Sequence, residues 1–293
     1  MEYSDDLYKN AITATIGDIY YATGMSSKVR IHSLRYLTEL YVRKLTKCNT
    51  KEEVQLGDNT TKTSLREAGV KEDFFWRAYK IIQKNGNDRS HTQVYILPTE
   101  EDFEKVARAV VTIQAYLFYD FFKKYPFGSN PKIERNFSFL PPYFRLEVLK
   151  ELIFLDPNNP EIIHKYGLTA IKTLGKENAL QEIDKHKKRF STQSMPFDSN
   201  YAKQILETGG LYVYAQTLQF MSNFSSVYDY LTYLINTTGD TFDRIKLPYT
   251  TFEGAKAYYL SEGKVDGDTP DVIEFNSLMD YIYTGRKPVS KEA

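Results

Sequence analysis

The chain has 293 residues, of which 42% are hydrophobic and 26% charged, a composition typical of a globular protein with one large or two ordinary domains. Its 38 basic and 38 acidic residues balance, which argues against a broadly basic nucleic-acid coat and leaves room for a local basic groove. The single cysteine, Cys48, excludes an intrachain disulfide framework and a cysteine-rich metal site, and it favours the reducing cytoplasm.

No segment of the sequence carries a signal for export or membrane insertion. The first ten residues lack the apolar core of a secretion signal, and no apolar run approaches the roughly 20 residues of a bilayer crossing. The chain is rich in aromatic residues, with 24 Tyr and 18 Phe, which we expect mainly at helix interfaces rather than stacked on bases. We therefore expect a cytoplasmic protein without membrane contacts.

The first 128 residues have the apolar periodicity of a helical bundle. Four segments combine this periodicity with start and stop signals and are predicted as helices: 4–24, 26–48, 71–85 and 99–124. Thr99 and Asp102 have the spacing of a capping box with Asp in place of Glu. The polar stretch 49–63 is predicted as a loop, and Asn85-Gly86 has the composition of a left-handed helix stop.

Helical signals continue beyond residue 128 with weaker punctuation. Residues 128–143 contain three prolines and little periodicity, and they are predicted as a linker. A helical hairpin follows, with Asn159 as N-cap of its second helix and Gly175 as the stop. The region 211–239 fits either one long apolar helix or two short ones, and the Tyr- and Thr-rich segment 245–265 contains pieces that fit short strands.

These patterns together predict an all-α fold. A helical bundle is expected over residues 1–128, and a second, mostly helical domain with a few short strands over 129–293. The last helix of that domain is well punctuated, with Thr269 as its cap and Gly285 after its end.

The strong catalytic and metal-binding motifs are absent from the sequence. It contains no GxxxxGK, HExxH, GxSxG or CxxC pattern, and its four histidines are not paired at metal-ligand spacing. Glu262 and Lys264 form a Glu-x-Lys triplet that, on a strand and beside Asp243, would fit a nuclease metal site, but Gly263 between them favours a turn. We therefore expect neither a metal nor another cofactor.

The polar residues that follow Gly86 are the best candidates for a catalytic site. Metal-free RNA cleavage requires a group that moves the 2′-hydroxyl proton, one that protonates the leaving 5′-oxygen, and positive charge beside the phosphate. His91 and Arg89, which come just after a helix end, are residues of the types that supply these functions. A helix stop with a solvated polar tail explains the same composition more simply.

The segment "IIQKNGNDRSH" follows an aromatic-rich helix and precedes a capped apolar helix. In this setting it resembles the loop of the HEPN superfamily (higher eukaryotes and prokaryotes nucleotide-binding), in the bacterial branch whose loop reads approximately IRKxGNxxAH. Asn87 and His91 match the polar residue and the histidine of the family motif, and Gly86 stands in the usual position of the motif arginine. The resemblance covers roughly residues 5–125.

The second predicted helix adds to this resemblance. In "RIHSLRYLTELYVRKL", Arg35 and Glu39 resemble the Arg and Glu that the same branch carries one helical turn apart. The helix is also basic, and it is a candidate to line an RNA path. The residues that we expect to bind nucleic acid are Lys84, Arg35, Arg43 and Lys44.

The resemblance implies a helical bundle that dimerises and so brings two such loops together. Active members of the family are metal-independent ribonucleases, often bacterial toxins or phage-defence effectors. By this hypothesis His91 transfers protons, Asn87 positions the loop, and Arg89 or Lys84 offsets phosphate charge. The expected partners are RNA and a second copy of the chain.

Two other hypotheses remain open from the sequence. Family members without the motif arginine are often thought to bind nucleic acid or a protein partner without cutting, and here the C-terminal helices would be the docking surface. The other is a helical scaffold unrelated to the family, which has no site in the loop after Gly86.

Overall fold

The computed structural model describes residues 5–48, 52–87, 97–196, 199–244 and 249–289. Within these ranges the chain forms thirteen helices and no β-strand, which confirms the predicted all-α fold. In chain order the helices are α1 Asp5–Tyr20, α2 Ser27–Thr46, α3 Asn59–Glu67, α4 Asp73–Asn87, α5 Glu100–Lys124, α6 Pro131–Phe137, α7 Pro142–Leu155, α8 Pro160–Asp184, α9 Lys187–Thr192, α10 Ser199–Met221, α11 Val227–Arg244, α12 Phe252–Glu262 and α13 Pro270–Tyr283.

Two of the N-cap signals that the sequence carries, at Thr99 and at Asn159, are present as hydrogen bonds. Thr99 and Asp102 form the predicted reciprocal box, with the Asp102 N–H donating to Thr99 Oγ1 at 3.2 Å and the Thr99 N–H donating to Asp102 Oδ2 at 2.9 Å. Asn159 Oδ1 accepts from the backbone N–H groups of Glu161 and Ile162 at 3.1 and 3.2 Å. These side chains satisfy backbone donors that have no partner inside the helix.

Two segments predicted without regular structure contain helices. The prediction of a loop over 49–63 is wrong from residue 59 onward, because α3 begins at Asn59. Leu65, on the apolar side of α3, is completely buried. The presumed linker 128–143 contains α6, which Asn130 caps and which has a proline at its first helical position. A proline at that position removes no helical hydrogen bond, so Pro131 begins a helix and does not interrupt one.

The C-terminal region is helical where strands were considered. The strand interpretation of 245–265 is wrong for its described part, because Thr251 caps α12 by accepting from the Gly254 N–H at 3.2 Å. Region 211–239 contains the end of α10 and most of α11, so the two-helix alternative is the correct one. Gly175 interrupts α8 with a φ of 75° and a ψ of 169°, as the predicted stop requires.

The chain divides into two compact units. The first comprises residues 1–118 together with 273–293. In its core the Tyr281 ring of α13 stacks on Tyr8 of α1 at 5.6 Å and meets Tyr41 of α2 edge-on at 5.4 Å. The second unit comprises residues 119–272, and in it α8 packs against both α7 and α11.

Among the described residues, no helix combines the length and the apolar character that a membrane crossing requires.

Candidate functional site

Helix α4 does not stop where the sequence predicts. It continues through Asn85 and Gly86 to Asn87, and the Asn85 side chain donates from Nδ2 to the Ile81 carbonyl one turn earlier at 2.8 Å. The left-handed stop predicted at Gly86 is therefore wrong. Gly86 is buried, and it extends the buried stripe that Tyr79 and Ile82 form on the same side of the helix.

The Arg35 side chain of α2 packs directly on Gly86. A Cβ atom at position 86 would lie 2.7 Å from Arg35 Cδ and 3.3 Å from Arg35 Nη1. Real Cβ atoms do not approach other atoms as closely as 2.7 Å, so the arginine occupies the space that any larger side chain at position 86 would need. The lack of a side chain at Gly86 thus lets an arginine from another helix reach the end of α4.

Glu39, which itself accepts a hydrogen bond from a backbone amide, holds Arg35 in this position. Arg35 Nε and Glu39 Oε1 are 3.4 Å apart, and each side chain exposes 19% of its surface. Glu39 Oε1 also accepts from the Leu56 N–H at 3.3 Å, and the Tyr79 hydroxyl donates to the Leu56 carbonyl at 2.8 Å. Partial burial raises the pKa of Glu39, and the Leu56 N–H and Arg35 oppose that rise.

His32 lies one turn before Arg35 on the same face of α2, and the sequence interpretation did not assign it to the site. Burial, followed by the positive charges of Lys28 and Arg35, lowers the pKa of His32 below its usual range. Its imidazole is therefore mostly neutral at pH 7. The signal for it was the spacing of residues 28, 32, 35 and 39, which places all four side chains on one stripe of α2.

The structure brings only some of the predicted nucleic-acid-binding residues together. Arg43 lies one turn after Glu39, close enough for its charge to lower the Glu39 pKa. Lys44 lies on the opposite face of α2, with Nζ 5.2 Å from the centre of the Tyr281 ring. Lys84 is exposed and precedes Gly86 by two residues, so it points about 200° away around α4.

The three predicted catalytic residues fall at or beyond the end of α4. Asn87 is the last residue of that helix, and its side chain lies outside the described part of the chain. Arg89 and His91 also lie outside the described residues. The described part of the candidate site therefore consists of Gly86, of Arg35, which packs on it, and of Glu39 and His32, the neighbours of Arg35 on α2. We refer to these four residues as the Arg35 cluster.

The Glu-x-Lys triplet does not have the geometry of a nuclease metal site. Glu262 is the last residue of α12 and pairs with Arg135 at 2.8 Å, and Gly263 follows as the helix C-cap with a φ of 86°. The Asp243 side chain lies outside the described residues. Over the described residues, no three His, Cys, Asp or Glu side chains lie together as metal ligands do.

Comparison with protein-family models, with curated proteins and with solved structures gives no match to this chain. The assignment of function therefore depends on the geometry of the site and on the resemblance of the loop.

The unit of residues 119–272 contains a carboxyl group with an unusually high pKa, that of Glu134. The carboxyl of Glu134, which is 7% exposed, adjoins that of Glu161. Burial, the hydrogen bond with Glu161 and its negative charge raise the pKa of Glu134 to about 8, while Lys165 and the Gly128 N–H act in the opposite direction. Glu134 is therefore mostly protonated at pH 7.

This acidity predicts the pH dependence of stability. Between about pH 4.5 and 8, folded Glu134 keeps a proton that the unfolded chain has lost, so stability present at low pH is lost as the pH rises through this range. We expect Glu134→Gln to raise the free energy of unfolding at pH 8 by about 3 kcal/mol and to change it little at pH 4.5. Urea unfolding at both pH values measures this, with the exposed Glu177→Gln as a control that should leave the profile unchanged. An equal effect of Glu134→Gln at the two pH values would contradict the assignment.

Proposed function

We propose that this protein is a HEPN-type endoribonuclease that cleaves RNA without a metal, acting in the cytoplasm as an effector of a bacterial toxin or phage-defence system. The proposal rests on the resemblance of the loop after α4 and on one observation about the Arg35 cluster. Arg35 fills the space beside Gly86, the position where the family motif carries its arginine. An arginine from α2 thus stands in for the one missing from the loop.

The chemistry assigns a role to each residue. The RNA 2′-oxygen attacks the adjacent phosphorus and forms a cyclic phosphate, the bond from phosphorus to the 5′-oxygen breaks, and the departing oxygen takes up a proton. His91 transfers protons, Asn87 positions the loop, and the Arg35 guanidinium offsets the charge that develops on the phosphate. Glu39 holds Arg35 and takes no part in the proton transfers.

The proposal includes a homodimer, because two proton-transfer groups are needed and each copy brings one loop histidine. His32, a mostly neutral imidazole on the same stripe of α2 as Arg35, lies beside this site and is not assigned a proton transfer. RNA approaches along the face of α2 that carries Lys28, Arg35 and Arg43, where positive charge attracts the backbone.

The experiment uses the purified full chain, single-stranded RNA and an excess of EDTA. We expect fragments that end in a 2′,3′-cyclic phosphate, and we expect His91→Ala to reduce their rate of formation at least 100-fold. His186→Ala, a histidine of the other unit, is the matched control and should cut like the unchanged chain. The proposal would be contradicted if the folded chain produced no fragments, or if His91→Ala cleaved RNA as fast as the unchanged chain.

The non-catalytic hypothesis is favoured by Gly86 itself, since the motif position has no arginine of its own. In that case the chain binds RNA, or a protein partner through residues 129–293, without cutting. Three results together would establish the non-catalytic hypothesis in place of the ribonuclease. The chain would bind RNA but release no fragments, His91→Ala would leave that binding intact, and the affinity would fall steeply with salt.

A further inference from the structure

A cleft of about 600 Å³ opens in the unit of residues 119–272, and no residue of the proposed ribonuclease site lines it. Its walls come from α6, α7, α8 and α12, together with Ser138 and Phe139 after α6 and Tyr249 before α12. A volume of this size is in the range of pockets that enclose small molecules. Cations and aromatic rings are prominent among the residues that line it.

Four cations line the cleft, and only one carboxyl does. Arg145 is 6% exposed, and Lys165 and Lys172 are half-buried on one face of α8, seven residues apart. Arg135, the fourth, is mostly exposed and pairs with Glu262. The carboxyl is that of Glu134, which is mostly protonated at pH 7 and therefore offsets little of this charge.

The cations are close enough to repel one another. Burial, followed by the charges of Arg145 and Lys165, lowers the pKa of Lys172. Burial also lowers the pKa of Lys165, and Arg145 adds to that effect while Glu134 and Glu161 oppose it. Positive charges held together in a partly buried place are costly, and a bound anion removes much of that cost.

An aromatic wall adjoins these cations. The Phe139 and Tyr258 rings meet edge-on at 5.1 Å, and the Tyr249 ring lies 5.2 Å from that of Tyr258. Ser138 joins the wall to the cations, because its carbonyl accepts from the Tyr249 hydroxyl at 2.6 Å and its Oγ accepts from Lys165 Nζ at 3.2 Å. The position of both tyrosines is therefore tied to the position of the cation cluster.

We propose that this cleft binds a nucleotide, with its phosphates on Arg145, Lys165 and Lys172 and its base against Tyr258. Cations supply the recognition of phosphate, and tyrosine rings supply a stacking surface for an aromatic base. A ligand that carries both groups, at the size of one nucleotide, matches the walls and the volume together. This site is independent of the proposed RNA cleavage and does not need it.

The test is isothermal titration calorimetry of the full chain at low salt with ATP, AMP and inorganic phosphate as separate probes. We expect ATP to bind more tightly than AMP, and AMP more tightly than phosphate. Lys172→Gln should weaken the binding of ATP at least tenfold. Lys188→Gln is the matched control, because Lys188 is an exposed lysine of the same unit outside the cleft, and it should bind like the unchanged chain.

A second variant tests the aromatic wall separately. Tyr258→Leu should weaken ATP and AMP about tenfold and leave the binding of inorganic phosphate unchanged. No binding of ATP or AMP to a chain that circular dichroism shows to be folded would overturn the proposal, as would equal ATP affinity of Lys172→Gln and Lys188→Gln. RNA binding that Lys172→Gln abolishes, without any binding of ATP, would assign the cleft to the RNA backbone and overturn it too.

Discussion

Arg35→Ala should lower the rate of RNA cleavage by about 100- to 1,000-fold while the chain remains folded. Removing a single group that stabilises the transition-state charge typically has an effect of this size. Arg35 is the charged group that the structure places on the backbone of Gly86, at the start of the proposed catalytic loop. Single-turnover cleavage of a labelled RNA measures the rate, and circular dichroism measures the fold.

The control for Arg35→Ala is Lys44→Ala on the same helix. Lys44 lies on the opposite face of α2 beside Tyr281, so its removal should change the rate less than threefold. Arg35→Lys keeps the charge and loses the planar guanidinium, so its cleavage rate should lie between those of Arg35→Ala and Lys44→Ala. Equal rates for Arg35→Ala and Lys44→Ala would show that the charge beside Gly86 has no part in cleavage.

Gly285→Ala should destabilise the chain by about 3 kcal/mol. Gly285 has a φ of 75°, and a Cβ atom there would lie 2.9 Å from the Thr13 Cα and 3.0 Å from the Ile16 Cβ. Both of those atoms belong to, or are fixed by, the backbone of α1, so they cannot turn aside. The segment after α13 rests on α1 through this glycine, and urea unfolding of the purified chain measures the loss.

Gly24→Ala separates the cost of the positive φ from the cost of the contact with α1. Gly24 has the same φ of 75°, and a Cβ atom there would have no neighbour within 4 Å. It should therefore cost only about 1 kcal/mol, the strain of a left-handed alanine. If the two substitutions destabilise the chain equally, α1 does not approach Gly285 as closely as described.

Local signals predicted most of the helices. Helix starts are predicted by hydrogen bonds that need only neighbouring residues, as at Thr99 with Asp102 and at Asn159 before Pro160. The helix α6 is not evident from the sequence, because Pro131 and two later prolines together indicate a break, whereas Pro131 occupies the first helical position. The place of α13 beside α1 depends on contacts between distant residues, which no local pattern contains.

The candidate site could be predicted only in part, for the same reason. The pairing of Arg35 with Glu39 follows from their spacing on one helix. The contact of Arg35 with Gly86 depends on how α2 packs against α4, so Gly86 alone had the appearance of a helix stop. The nucleotide cleft collects Arg145, Lys172 and Tyr258 from segments far apart in the sequence, and no motif links them.

If Arg35 supplies the arginine missing at position 86, moving the arginine from position 35 to position 86 should preserve cleavage. Arg35→Ala removes the three atoms that lie nearest to a Cβ at position 86, and Gly86 lies within a helix, which an arginine readily joins. The measurement is the single-turnover rate of RNA cleavage in EDTA for Arg35→Ala and for the double variant Arg35→Ala with Gly86→Arg. We predict that the double variant recovers to within about tenfold of the unchanged chain. A folded double variant no faster than Arg35→Ala would contradict the claim.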